Sequence, residues 1–272
     1  MKASFYGNVR QTVADDEVAK SVEEITLRGF TIITDLLTAE ELIGWREKID
    51  RIYEKQEIEF GREALGAIQE LDICRAPLLY DFEFIGLAIH QRFLPIIRAF
   101  LGDWFVLNLQ NAIINRPNQV QHQSAWHRDL PYQNYVISRP LAINVMLAID
   151  EFSDKTGGTF VLPFTHKSEV LPSDSYIDAN RVVAAAPAGS AIIFDSMLFH
   201  RAGTNTSAII RRAVNQLYTT PIIKQQYDFP RALGARPELE PAVARLLGYD
   251  SQVPLDDQAW RRARSERRVK RN

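Results

Sequence analysis

The chain has 272 residues, 46% hydrophobic and 24% charged, with a formal net charge of −2. That composition is globular, large enough for a substantial core, and its near-neutral charge gives no global reason to expect a nucleic-acid partner. One cysteine, Cys74, excludes an internal disulfide, and no run approaches the roughly 18 apolar residues of a membrane span, so a soluble, cytoplasmic protein without membrane contact is expected.

The charge is uneven. Residues 261–272 carry seven basic side chains (Arg261, Arg262, Arg264, Arg267, Arg268, Lys270, Arg271) against Glu266, so this tail is +6 and the other 260 residues are −8. Such a tail can engage acidic partners; a solvated terminus is the simpler reading. Residues 1–7 contain no apolar run of signal-peptide length. Cys74 lies in an unremarkable stretch and is expected to be a packed core thiol.

Residues 15–28 place apolar side chains at helical spacing and stop at Gly29. Residues 30–34 are short and β-branched, as a strand requires. Thr38 followed by Glu41 is a capping box that opens a helix running past Trp45 to Tyr53. Residues 82–101 read as one long helix ended by Gly102. From Trp104 to about Pro221 short apolar runs alternate with Pro, Gly, Asn and Asp, and strands are expected at 105–115, 141–149, 159–162, 190–194 and 212–219. That pattern suggests a sandwich or barrel. Helical character returns at 238–247 and from Asp256. With no repeat and no low-complexity linker, the expectation is one domain: a mainly helical N-terminal segment over 1–103, a β core over 104–221, and a helical extension over 222–272 with the basic tail.

The chemistry concentrates in Trp126-His127-Arg128-Asp129. In an extended segment, residues two apart share a face, so the His127 imidazole and Asp129 carboxylate meet. His200, closing the apolar run that begins at Ile192, is the natural third ligand. Two histidines and a carboxylate on one face of a metal leave positions open, the diagnostic arrangement of non-haem iron(II) oxygenases. Those positions suit the keto and carboxylate oxygens of a 2-oxo acid, and O2. The far carboxylate then needs a fixed cation, and an Arg fork fits one better than Lys; Arg211 lies eleven residues after His200, where a strand begins. Taken singly, a His-x-Asp, a histidine after an apolar run and an Arg at a strand start are ordinary structural features. Their joint order and spacing in a β-rich half carry the case.

His127-Arg128-Asp129-Leu130 through Asn134 also spells the protein-kinase catalytic loop. No glycine-rich loop precedes it and no Asp-Phe-Gly follows, so nothing would hold nucleotide or its metal. There is likewise no Gly-x-Ser-x-Gly, P-loop, Cys-x-x-Cys or His-Glu-x-x-His.

Over roughly 29–221 the chain resembles the phytanoyl-CoA dioxygenase family of iron(II)/2-oxoglutarate oxygenases. Gly29 to Thr38 with Glu40-Glu41-Leu42, the Trp126-His127-Arg128-Asp129-Leu130 motif, Ala148-Ile149-Asp150 with Gly157-Gly158-Thr159-Phe160 and Thr165-His166-Lys167, and His200 with Asn205 and Arg211 carry the resemblance. It implies a double-stranded β-helix (jelly-roll, cupin-like) core with flanking helices, Fe(II), 2-oxoglutarate and O2, and release of succinate and CO2. It implies His127, Asp129 and His200 as metal ligands, Arg211 rather than Arg212 as co-substrate clamp, and Asn108, Gln110, Asn144 and Met146 on pocket-lining strands. Two features depart from the family. Ala202 stands where a small hydroxyl residue often helps hold the co-substrate, leaving that bond missing or supplied by Asn144 or Thr204. Phe164-Thr165-His166 replaces Gly-Ser-His, and His166 is read as structural. A carboxylate at 129, where halogenating relatives carry a small residue, favours hydroxylation or a related oxidation. The expected function is therefore a dioxygenase hydroxylating a small-molecule metabolite. The alternatives are a catalytically silent jelly-roll metal-binding protein and a zinc hydrolase using the same triad. The aromatic stretches 130–135 and 225–229 could line a pocket; substrate identity and oligomeric state are not legible.

Overall fold

The computed structural model describes residues 11–119, 122–130 and 133–269. Its elements, in chain order, are α1 (Glu17–Arg28), β1 (Phe30–Ile33), α2 (Ala39–Phe60), α3 (Arg62–Ala67), β2 (Ile73–Arg75), α4 (Phe84–Ala88), α5 (Leu94–Leu101), β3 (Val106–Asn115), β4 (Ala142–Ala148), β5 (Phe160–Val161), α6 (Asp174–Asn180), β6 (Val182–Val183), β7 (Ala191–Asp195), β8 (His200–Arg201), β9 (Arg211–Thr219), α7 (Phe229–Leu233), α8 (Pro241–Leu247) and α9 (Asp257–Val269). Among the described residues no helix is long and apolar enough to cross a membrane.

Local chemistry sets the boundaries. The Asp16 carboxylate accepts from Ala19 N and caps α1, and Gly29 ends it at φ 93°, a left-handed conformation that favours glycine. The Thr38–Glu41 capping box forms as expected, but α2 continues past Tyr53 to Phe60. The long helix expected over 82–101 is instead two short ones, α4 and α5. Pro95 lies in the first turn of α5, where its missing N–H and fixed φ are tolerated. In the middle of a longer helix it would clash with the preceding turn. Pro241 likewise starts α8 three residues later than the periodicity suggests.

The main sheet has six strands in the order β1-β7-β4-β9-β3-β2, all neighbours antiparallel. A smaller antiparallel sheet, β6-β5-β8, faces it. The N-terminal segment, expected to be mainly helical with a strand at 30–34, thus supplies both edge strands of the main sheet, the expected β1 and the unexpected β2. Side chains alternate across each strand. One face of the main sheet (Ala112, Ile114, Ile143, Val145, Leu147, Ile193, Val214, Tyr218) packs on the helices through Ile49, Ile52, Phe84, Phe93 and Ile97. Cys74 belongs to this layer, and burial pushes its thiol up to about 12. The opposite face (Ile113, Met146, Ala148, Ile192, Phe194, Ala213) packs on Phe152, Val161 and Leu198, and the candidate site lies within this inner layer. Strand β9 is the centre of both layers, hydrogen-bonded to β4 and β3 along nearly its whole length.

Two features brace the loops around the inner layer. Gly203 is buried against Gly157 and Gly158, so an added Cβ would run into the Gly158 carbonyl oxygen. Asn205 fixes the same loop, donating to the carbonyls of Asn115 and Ile209, both at 2.8 Å. Because the opposing atoms are backbone, Gly203→Ala is expected to lower stability by about 1–3 kcal/mol, read as an earlier urea midpoint with an unchanged slope; an unchanged midpoint would mean the loops separate freely.

Asp195, at the end of β7, is buried, and that burial pushes its carboxyl up to about 6 despite the Met197 N–H it accepts and the nearby Lys167 and Arg128 charges. The folded state therefore holds the proton more tightly than the unfolded chain. The group's stabilisation is complete below its ordinary value near 4 and is lost as pH rises through about 6. Asp195→Asn removes this dependence. Its stability relative to the wild type should rise between pH 4 and pH 7 by at most about 3 kcal/mol, measured by denaturant unfolding at both pH values; parallel curves would contradict it.

Candidate metal centre and active site

The stretch containing His127 behaves as one more strand beside β8. His127 N donates to His200 O at 3.0 Å, and His200 N to His127 O at 3.1 Å. Asp129 N reaches Ser196 O at 3.3 Å. These bonds hold the segment extended, so His127 and Asp129 share a face opposite His200. Asp129 Oδ1 lies 3.7 Å from His127 Nε2 and 3.5 Å from His200 Nε2. The three candidate ligand atoms all lie within 4.8 Å of one another, and among the described residues no other group of three or more His, Cys, Asp or Glu converges this way.

The histidines are oriented from behind. His127 Nδ1 meets Ala125 O at 2.8 Å and His200 Nδ1 meets Leu198 O at 3.0 Å. Carbonyls only accept, so each Nδ1 carries the hydrogen and each Nε2 is turned toward Asp129 Oδ1, the orientation a metal-binding histidine requires. The Phe194 ring stands edge-on to His200 at 4.8 Å. Burial alone would raise the Asp129 carboxyl, but His200, His127 and the Asn215 hydrogen bond pull it down to about 2. Burial disfavours a charged His200 ring, Asp129 favours it, and the balance is upward.

The other Asp129 oxygen is engaged elsewhere. Oδ2 accepts from Asn144 Nδ2 and, at 3.3 Å, from Asn215 Nδ2. Asn144 Nδ2 also donates to Asn215 Oδ1 at 3.2 Å, and Ser196 Oγ donates to Asn144 Oδ1 at 2.5 Å. Sequence reasoning missed Asn215 and Ser196. The available signal was parity: Asn215 lies four residues after Arg211 on one strand, hence on the same face.

Arg211 is 2% exposed. Its Nη2 donates to Gly157 O at 2.7 Å, its guanidinium lies 4.4 Å from the Phe152 ring centroid, and its Nε has no partner. Burial lowers it to about 10, with Asp150 acting in the opposite direction. A buried cation is ordinarily paired, yet no carboxylate among the described residues forms an ion pair with Arg211. Its neighbour points the other way. Arg212 binds Asp50 at 2.8 and 2.7 Å and Asp150 at 3.1 Å, toward the helices. Strand alternation thus separates the two adjacent arginines into an unpaired inner one and a paired outer one. Arg211 and Asn215 are about 13 Å apart along β9 at the usual rise.

Other expected positions divide. Asn144 and Met146 face the inner layer. Gln110 does not: its amide donates to Phe84 O at 2.9 Å and Gln216 Oε1 at 3.1 Å, on the helix side. Asn108 is also removed from the triad. It sits at a bulge between Leu107 and Leu109, donates to Lys224 O at 3.0 Å, and accepts from Gln226 N at 3.1 Å, pinning the chain after β9. Asn111, the direct cross-strand partner of Asn215, faces inward instead, and its Oδ1 accepts from Tyr227 Oη at 2.7 Å. Of the alternatives at Ala202, a missing bond fits the structure better than a supplied one, since both Asn144 amide hydrogens are engaged and Thr204 is exposed. His166 is buried with Nε2 3.1 Å from Thr26 O, a packing role.

Arg128, between the two ligands, stacks 3.8 Å from the Phe199 ring and donates to Met197 O at 2.8 Å, Glu169 O at 3.0 Å, Thr165 O at 3.4 Å and Ser168 O. Leu130 joins Leu109, Leu141, Ala142, Leu217 and Ile223 in an apolar cluster beyond Asn144 and Asn215. Of the two aromatic stretches, Pro131 and Tyr132 lie outside the described residues; Tyr227 reaches Asn111, whereas Phe229 is buried in the helix-side core.

The phytanoyl-CoA dioxygenase family model matches residues 25–213. An uncharacterized protein of Mycobacterium bovis is 35% identical over 236 residues, covering 83% of this chain and 84% of its own. The dioxygenase olcK of Penicillium canescens is 27% identical over 164 residues, 57% of this chain and 52% of its own. Among solved structures, EctD from S. alaskensis with 2-oxoglutarate and 5-hydroxyectoine shares the fold at TM-score 0.62 and 16% identity, covering 79% of this chain and 80% of that one. The residue pattern, the inner-face triad in a double-stranded β-helix and the match over most of the chain agree: it belongs to the phytanoyl-CoA dioxygenase family and is an iron(II)- and 2-oxoglutarate-dependent non-haem dioxygenase.

Proposed function

We propose that this dioxygenase hydroxylates a C–H bond of a small-molecule metabolite, with His127, Asp129 and His200 holding iron(II) and Arg211 holding the distal carboxylate of 2-oxoglutarate. One oxygen atom of O2 goes to the substrate and the other to succinate, and CO2 leaves. The observation that carries the reading is the buried guanidinium of Arg211, without a carboxylate partner among the described residues, on the same face of β9 as Asn215, which donates to Asp129. A zinc hydrolase using the same three ligands would have no need of that cation, and neither would a silent metal-binding protein.

The residues fit the metal. Two Nε2 atoms and one carboxylate oxygen converge, and a cation between them would favour neutral imidazoles and an ionised Asp129, the protonation states that ligation requires. When bound, iron(II) with 2-oxoglutarate and O2 supplies the oxidation itself. The protein's own contribution is placement. Arg211 offers a fork to the anion, and Phe152, Met146 and Phe194 keep the inner layer apolar. Asp129 occupies the place a halide would need, which favours hydroxylation over halogenation. The cluster of Leu109, Leu130, Leu141, Leu217 and Ile223 offers an apolar wall to a small substrate. We further read the chain as one oxygenase domain working in the cytoplasm, where its lone buried thiol stays reduced.

Anaerobic addition of 2-oxoglutarate to the Fe(II)-loaded protein should give the weak visible charge-transfer band of the chelate; intact protein without the band would remove the co-substrate assignment. Arg211→Ala should raise the 2-oxoglutarate concentration needed for that band by at least about 30-fold, the equivalent of 2 kcal/mol for one half of a buried ion pair, with little change in Fe(II) affinity. Asp129→Ala should abolish substrate hydroxylation, and succinate formation at the wild-type rate in that variant would count against the triad.

A further inference from the structure

Building on the metal assignment above, we propose that Asn144 and Asn215, locked by Ser196, form an amide clamp that occupies Asp129 Oδ2 and makes Oδ1 the sole metal-binding oxygen of that carboxylate. The direction of every bond in the clamp is fixed by the carboxylate, which can only accept. Asn144 must therefore present its nitrogen to Oδ2, so its oxygen faces Ser196 and the serine hydroxyl must donate. Asn215 likewise presents Nδ2 to Oδ2, and its oxygen receives the second Asn144 hydrogen. Both hydrogens of Asn144 are used.

The clamp is well sheltered. Asn144 and Ser196 are 0% exposed and Asn215 is 8% exposed, so water does not compete effectively for the donors. Asn144 is on β4, Asn215 on β9, and Ser196 follows β7, three adjacent strands of the main sheet. A single amide contact would suffice to tie β4 to β9. Two amides aimed at one oxygen of one carboxylate do more, because they fix its rotation about the Cβ–Cγ bond. With Oδ2 saturated, Oδ1 alone points between His127 and His200. A carboxylate held to one donor atom would leave more of a bound metal's positions open to a 2-oxo acid and O2 than one free to bind through both oxygens. Asn144 and Asn215 are positioning residues, acting through Asp129.

The test uses Co(II) as the probe, titrated into metal-free full-length protein and followed by its visible d–d absorption. The wild type should bind with the spectrum of one defined site. Asn215→Leu keeps the side chain's size without the donor. It should weaken Co(II) binding about 10- to 100-fold, the usual effect of losing a group that supports a ligand, and should change the position or intensity of the d–d bands as Oδ2 is released. Ser196→Ala, which leaves Asp129 untouched, should shift both in the same direction by less, and decides the matter alone if Asn215→Leu does not fold. Variants that melt like the wild type without metal and bind Co(II) with the wild-type affinity and spectrum overturn the clamp while leaving the metal site intact. A wild type that binds no Co(II) overturns the metal assignment, and the clamp with it.

Discussion

A carboxylate has two equivalent oxygens, and the protein environment makes those of Asp129 unequal. One faces two imidazoles; the other is surrounded by amide hydrogens. The inequality requires an extended segment 127–129 beside β8, so that His127 and Asp129 share a face. It also requires β4 and β9 to be neighbours in register, so that two asparagines reach the same atom. The electrostatics follow. Burial opposes the charge on Asp129, and the surrounding positive and dipolar groups outweigh burial. The sheet order is thus the mechanical condition for a carboxylate that stays ionised in an apolar layer.

The same strand supplies the second fixed charge. Alternation along β9 turns Arg211 inward and Arg212 outward, and their surroundings differ accordingly: one carbonyl and an aromatic face for the first, two aspartates for the second. Arg212 is satisfied within the protein and ties β9 to α2 and to the end of β4. Arg211 has no carboxylate partner among the described residues. The glycines at 157, 158 and 203 let two loops meet at the backbone beside it, bringing the Gly157 carbonyl within reach of the guanidinium.

Much of this was legible in the residues. The triad, Arg211, the β core and the capping of α1 and α2 rest on local rules of spacing and parity that survive folding. The failures have physical reasons. The helix expected over 82–101 ignored Pro95, which a helix accepts in its first turn and not in its middle. Asn108 and Gln110 were placed by resemblance on the pocket side, but a bulge at 107–109 resets strand parity, so Asn111 faces the interior and Gln110 the helices. Asn215 and Ser196 carry no motif; their importance comes from the pairing of β4, β7 and β9, a long-range register that no local pattern encodes. Strand β1 was legible at 30–34, whereas β2 was not: it has three residues, too short for a periodic signal.

Arg128 occupies the variable place of a His-x-Asp motif, where any side chain would satisfy the ligand spacing. Here that place is taken by a guanidinium reaching the carbonyls of Met197, Glu169, Thr165 and Ser168 while lying on Phe199. Lysine could not span acceptors from two separate segments, because its charge is a compact point on a flexible stem. The nominal wildcard is a keystone: His127 and Asp129, which flank it, are held from the outside by a residue on the opposite face of the segment, and engineering that treats position 128 as free would loosen the site from behind.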